Sequence, residues 1–321
     1  MLSTVHVHRH QKHLKWSRDV EPVLKVSSGE EVTFECQDAS GGLVREESAA
    51  SDIINANLDK FDPVYGPVYI NGAEPGDTLQ IDVLDLQFTA GWGWTALLPG
   101  FGLLADEFPE PRVKVWQLPP RSSSDKTTEF APGIQIPLRP FLGEMGVAPG
   151  AEGEFSTIPP LDTGGNVDCR NLTVGSTLFL PVQVPGALFS CGDGHAAQGD
   201  GEVCGTAIET AITATLKFTV RKGFDWVTSP HYICPPAAVG GYTPQDIGHY
   251  AVMGIDSDLK EATRKAIRGI IQYLMKNKGL GREDAYMLAS VAVNLRMSEV
   301  VDINYAISAA LPFNIFSSIT T

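Results

Sequence analysis

From Ile208 to Val220 the even positions are mostly apolar (Ile208, Ile212, Ala214, Leu216, Phe218, Val220), and the odd ones mainly polar (Glu209, Thr213, Thr215, Lys217, Thr219). Period two predicts a half-buried strand over 206–220. Pro22–Val26 and Glu31–Cys36, separated by Ser27-Ser28-Gly29, predict a hairpin. Val68–Gly72 and Thr78–Asp85 flank a predicted turn, because Pro75-Gly76 breaks the apolar run between them. Between Trp92 and about Thr163 the chain is rich in Pro and Gly, and Phe108–Arg112 and Arg121–Asp125 read as surface loops.

Helical spacing emerges near the end. Leu259, Ala262, Ala266, Ile270 and Leu274 follow one face. They predict a helix over 258–278, capped by Ser257 and stopped by Gly279. A second helix is predicted from Arg282 to about Asn294. The fold class is therefore β-rich α+β, a sandwich- or barrel-like body with a C-terminal helical pair. Residues 1–163 form an N-terminal β-rich part and 164–321 a C-terminal part, with one interwoven domain as the alternative division.

Composition narrows the function. With 321 residues and 43% hydrophobic content the chain can build a large core. A formal net charge of −14 argues against nucleic-acid or membrane partners. The short cluster His6, His8, Arg9, His10, Lys12 and His13 does not offset it. No apolar run reaches the roughly 18 residues of a spanning helix, and Met1–Ser17 does not read as a secretory signal. Five cysteines without a CxxC pair read as reduced thiols in a cytoplasmic protein.

The chemistry concentrates in 191–205, Cys-Gly-Asp-Gly-His-Ala-Ala-Gln-Gly-Asp-Gly-Glu-Val-Cys-Gly. A tight Gly-rich loop converging Asp193, His195, Asp200 and Glu202 suits a divalent cation. The competing reading takes the Asp-Gly steps as hairpin turns with solvated carboxylates. His195 favours the first, because a histidine between two Asp-Gly steps has no packing role there. Asn166 with Asp168, and Asp38 before Gly41-Gly42, are further candidate ligands. Cys191 and Cys204 flank Glu202 and leave a thiol amidase open, although no lysine is near them in sequence. His231 and His249 lie in segments that read as Pro/Gly-rich loops, where a surface role is favoured over a place at the pocket edge.

Blocks along nearly the whole chain resemble the acetamidase/formamidase family. They are His13–Ser17 with Pro22, Asp38–Gly42, Gly66–Asp77, Arg139–Gly143, Met145–Pro149, Gly164–Asp168 and Gly186–Glu202. Asp62 stands where the family commonly has Asn, Tyr65 where Thr or His is usual, and Val167 replaces a larger apolar residue. The resemblance implies a β-rich homo-oligomer hydrolysing formamide, acetamide or similar amides with divalent metal at the site.

These readings combine into a set of expectations. Asp38, Asn166, Asp168, Asp193 and His195 hold one or two divalent ions, zinc or calcium, which acidify water and polarise the amide carbonyl. Glu202 acts as general base with His195 beside it, then protonates the leaving ammonia. Tyr65, Trp92 and Trp94 line the substrate pocket. The rival from another class is a non-catalytic β-sandwich binding module with a calcium-type acidic loop.

Overall fold

In the computed structural model, which describes residues 5–54, 57–120, 126–236 and 248–316, strands from both halves of the chain interleave in two large sheets. Nine strands form the first, in the order Val5–Val7, Glu31–Cys36, Ile212–Arg221, Thr78–Phe88, Thr177–Pro181, His231–Cys234, His249–Asp256, Tyr305–Pro312, Asn294–Glu299. The second runs Gly164–Asn166, Phe141–Gly146, Phe189–His195, Val64–Asn71, Lys12–His13, with Leu24–Ser27 parallel to Val64–Asn71. Val32, Phe34, Ile81, Leu216 and Phe218 of the first sheet share one buried core with Val68, Ile70, Leu142, Met145 and Phe189 of the second. The body is a sandwich, as the alternating pattern requires.

Helices form a third layer. Along His249–Asp256, Ala251, Met253 and Ile255 face the sandwich core, whereas Tyr250 and Val252 face Ala266, Ile270 and Leu274 of the helix Leu259–Lys278. Full burial of Ile270 or Leu274 stabilises this contact by about 1.5–3 kcal/mol each. The second helix, Arg282–Ala292, packs Ala285 and Ala289 into the same cluster. Gly279 closes the first helix in the left-handed conformation at φ 67°. Its N-cap is Asp258, not Ser257: the Asp258 carboxylate accepts from Glu261 N at 2.9 Å.

Three other local readings change. The strands around Ser27-Ser28-Gly29 are no hairpin, because Leu24–Ser27 joins the second sheet and Glu31–Cys36 the first. The strand expected over 206–220 begins only at Ile212. Before it, Glu209 bridges Trp94 and His195, which draws 206–211 across the end of the second sheet. Phe108–Arg112 is largely exposed, as expected of a loop, and Arg121–Asp125 lies outside the described residues. His231 and His249 are not surface-loop residues: each begins a strand and is buried.

Candidate active site

The run Cys191-Gly-Asp-Gly-His195 is strand, not turn. Phe141 pairs with His195, Leu142 with Gly194, and Glu144 with Gly192. Asp193 and His195, two residues apart, therefore share one face. The glycines that alternate with them, Gly192 and Gly194, face the other way, where neighbouring backbone leaves no room. A Cβ on Gly192 would run into Pro63 O, and one on Gly194 into Thr210 O. Gly143, on the adjoining strand, has no space for a side chain either, since a Cβ there would collide with the Asp193 and Asp168 carboxylates.

His195 is the hub. Its Nε2 stands 2.9 Å from Asp193 Oδ2, 3.1 Å from Glu209 Oε2 and 3.9 Å from Glu202 Oε1. Its Nδ1 is 3.8 Å from Asp168 Oδ1, and the Phe141 ring meets the imidazole edge-on at 4.9 Å. Asn166 Nδ2 donates to Asp302 Oδ2 at 3.3 Å. These groups line one cavity of about 270 Å³, with Asp62 beside them. Four of its carboxylates, Asp62, Asp168, Asp193 and Glu202, sit on positive-φ backbone, at 52°, 43°, 54° and 47°. Backbone strain gathered on side chains that converge is characteristic of a functional site.

Charge balance defines what the cavity can hold. Among the described residues, Asp62, Asp168, Asp193, Glu202, Glu209 and Asp302 line it, with His195 as the one basic residue and neither Lys nor Arg. Burial alone would lower the His195 pKa, but Asp193 and Glu209 outweigh it and hold the imidazole well above its usual range. Burial would raise Asp193, and the same pairing instead holds it below the usual carboxylate range. Burial, then Asp168, push Glu202 well above its ordinary value, with His195 opposing. Burial raises Glu209 to about 8, and burial with Glu299 raises Asp302 to about 8. So many carboxyl groups cannot ionise together unless cations join them.

The donor set fits a divalent ion. Asp168, Asp193 and His195 can each offer one atom to a common position, and so can His195, Glu202 and Glu209. Both Asp168 oxygens, Asp193 Oδ1 and His195 Nδ1 are buried without a hydrogen-bond partner. Buried polar atoms left in that state are costly, and a cation satisfies several at once.

Of the ligands expected from sequence, the fold gathers Asn166, Asp168, Asp193 and His195 at the cavity, together with Glu202. It does not bring Asp38 there. That carboxylate turns back on its own chain, accepting from Ser40 N at 2.8 Å and from Ser40 Oγ. Asp200 is paired with Arg170 Nε at 2.7 Å. Trp94 lines the cavity, whereas Trp92 lies along a separate groove with Asp38, and the buried Tyr65 hydroxyl donates to Gln37 at 3.4 Å. Asp62, Glu209 and Asp302 are additional cavity acids. Glu209 was hidden among the polar positions of a strand pattern, and Asp302 sits in a segment without any motif. Behind the cavity Glu144 is fully buried with both oxygens unpartnered.

Known proteins share this architecture. The Acetamidase/Formamidase family signature matches residues 3–154 and 150–318. The formamidase of Methylophilus methylotrophus is 28% identical, over 95% of this chain and 89% of its own. The acetamidase of Mycolicibacterium smegmatis is 27% identical, over 86% and 84%. A crystal structure of an acetamidase from Bacillus halodurans superposes with a TM-score of 0.86 at 28% identity, covering 99% of this chain and all of that one. By this signature, which spans nearly every residue, the chain belongs to the acetamidase/formamidase family.

Proposed function

We propose that the cavity hydrolyses small linear amides to carboxylate and ammonia with the help of a divalent ion held by Asp168, Asp193 and His195, with Glu209 within reach of the same imidazole. The observation that carries this is that Asp168, Asp193 and His195 can each offer a ligand atom to a common position, while both Asp168 oxygens, Asp193 Oδ1 and His195 Nδ1 are buried without a partner. When bound, such an ion polarises an amide carbonyl and makes water more acidic. One imidazole among carboxylates favours zinc over calcium.

The chain's own groups divide the remaining work. Glu202 is buried, and burial, then Asp168, raise its pKa, which makes its carboxylate a stronger base than an exposed one. It takes a proton from the attacking water and delivers it to the leaving nitrogen. Asn166, held by Asp302, presents its unpartnered Oδ1 as an acceptor for the substrate amide N–H. Thiol catalysis has less support. Cys191 is buried, burial pushes its thiol well above the usual range, and no lysine lines the cavity among the described residues.

Two variants separate the roles. Glu202→Gln lowers kcat by roughly 10²–10⁴ while metal content stays near normal. His195→Ala loses metal and activity together. A Gln variant with wild-type kcat removes Glu202 from the chemistry, and one without metal makes it a ligand instead.

A further inference from the structure

The cavity lining is of two kinds. Besides the acids it includes Phe61, Trp94, Leu98, Phe101 and Ile158. Thr206, a polar residue of the lining, spends its hydroxyl on Ala96, accepting from its N–H and donating to its carbonyl, both at 2.9 Å. The volume is about 270 Å³. At roughly 30 Å³ per water, that is room for about nine. Acetamide, with its four non-hydrogen atoms, would leave much of this space to water lying against apolar side chains, an unfavourable arrangement.

This wall is tied to the catalytic groups. Trp94, almost fully buried, packs with Phe61 and Ala39, and its backbone pairs in both directions with that of Glu209, at 2.7 and 2.9 Å. Phe101 lies on Gly205, where a Cβ would overlap its ring. Gly205 N donates in turn to Glu202 O at 2.7 Å, and Leu103 N to Val203 O at 3.0 Å. An acyl chain seated on Trp94 and Phe101 therefore sits in fixed register with Glu209 and Glu202.

From this geometry we infer that the preferred substrates carry an apolar acyl group larger than acetyl, of four to six carbons, seated on Trp94 and Phe101. The inference rests on the amide-hydrolase reading above and names its substrate class. Each methylene that leaves water for this wall raises kcat/KM about three- to fourfold, until the cavity is full.

The test measures ammonia release by the metal-loaded enzyme and by Phe101→Ala on formamide, acetamide, butyramide, pentanamide, hexanamide and octanamide. For the wild type, kcat/KM rises from acetamide to an optimum at four to six carbons and falls by octanamide. Phe101→Ala lowers kcat/KM for pentanamide at least about tenfold more than for acetamide. A steady decline from formamide or acetamide upward overturns the inference, as does an equal loss on both amides in the variant, while leaving the amidase reading in place. Ammonia from none of the six overturns the amidase reading and this inference with it.

Discussion

His195 and His231 show how differently burial treats two histidines in one protein. Both are almost fully inaccessible. His195 is surrounded by carboxylates that raise its pKa, and a cation bound at the ring would take the place of its proton. His231 has the Tyr250 hydroxyl at 2.6 Å and the Trp226 ring nearby, and burial drives its pKa down to about 3. Between about pH 3 and 6.5 the unfolded chain therefore binds a proton at this site that the folded chain does not. Stability rises with pH in that window, is fully present above it, and is lost as pH falls, by about 1.4 kcal/mol per pH unit from this one group. Urea unfolding at pH 7 and pH 5 checks it: His231→Gln flattens the loss by about one proton, and an unchanged slope removes His231 as its source. Gly143 supplies the second test at this scale. Gly143→Ala puts a methyl group among the Asp168 and Asp193 carboxylates. Far-UV circular dichroism stays native while metal content and amide hydrolysis fall together, and a fully active, metal-loaded variant contradicts the proposed ligand position.

Among the elements, the closest fit is between the helix Leu259–Lys278 and the strand His249–Asp256. A Cβ on Gly254 would land on Ala262 O and crowd Ala266 N, so this helix rests directly on strand backbone. Because backbone cannot rotate aside, Gly254→Ala destabilises by at least about 3 kcal/mol. Gly279→Ala meets no neighbour and costs about 1 kcal/mol, from its left-handed backbone alone. Denaturant midpoints rank the two, and the reverse order contradicts the contact. The helices were readable in the sequence because Ala262, Ala266, Ile270 and Leu274 keep one period throughout. Cys191–His195 misleads for a physical reason. Its glycines suggest turns, but they are there because Pro63 and Thr210 backbone presses against that face of a strand. Pairing partners were equally hidden: nothing local sends Leu24–Ser27 and Glu31–Cys36 to different sheets. Asp193 and His195 were legible because they share one short Gly-rich run, whereas Glu209 and Asp302 reach the cavity only through contacts set by the whole fold.

At the scale of the whole molecule, the sandwich gathers acidic side chains from distant parts of the chain around one imidazole, in a cavity that apolar side chains also line. The cost of assembling such a cluster is tolerable when a cation completes it. Metal content and catalysis are therefore expected to be inseparable. The decisive measurement is ammonia release from the amide panel by purified protein as isolated, after chelation, and after return of zinc or calcium. The account predicts activity as isolated, its loss on chelation and its recovery with one of the two ions. Full activity in protein shown by elemental analysis to be free of metal would contradict it.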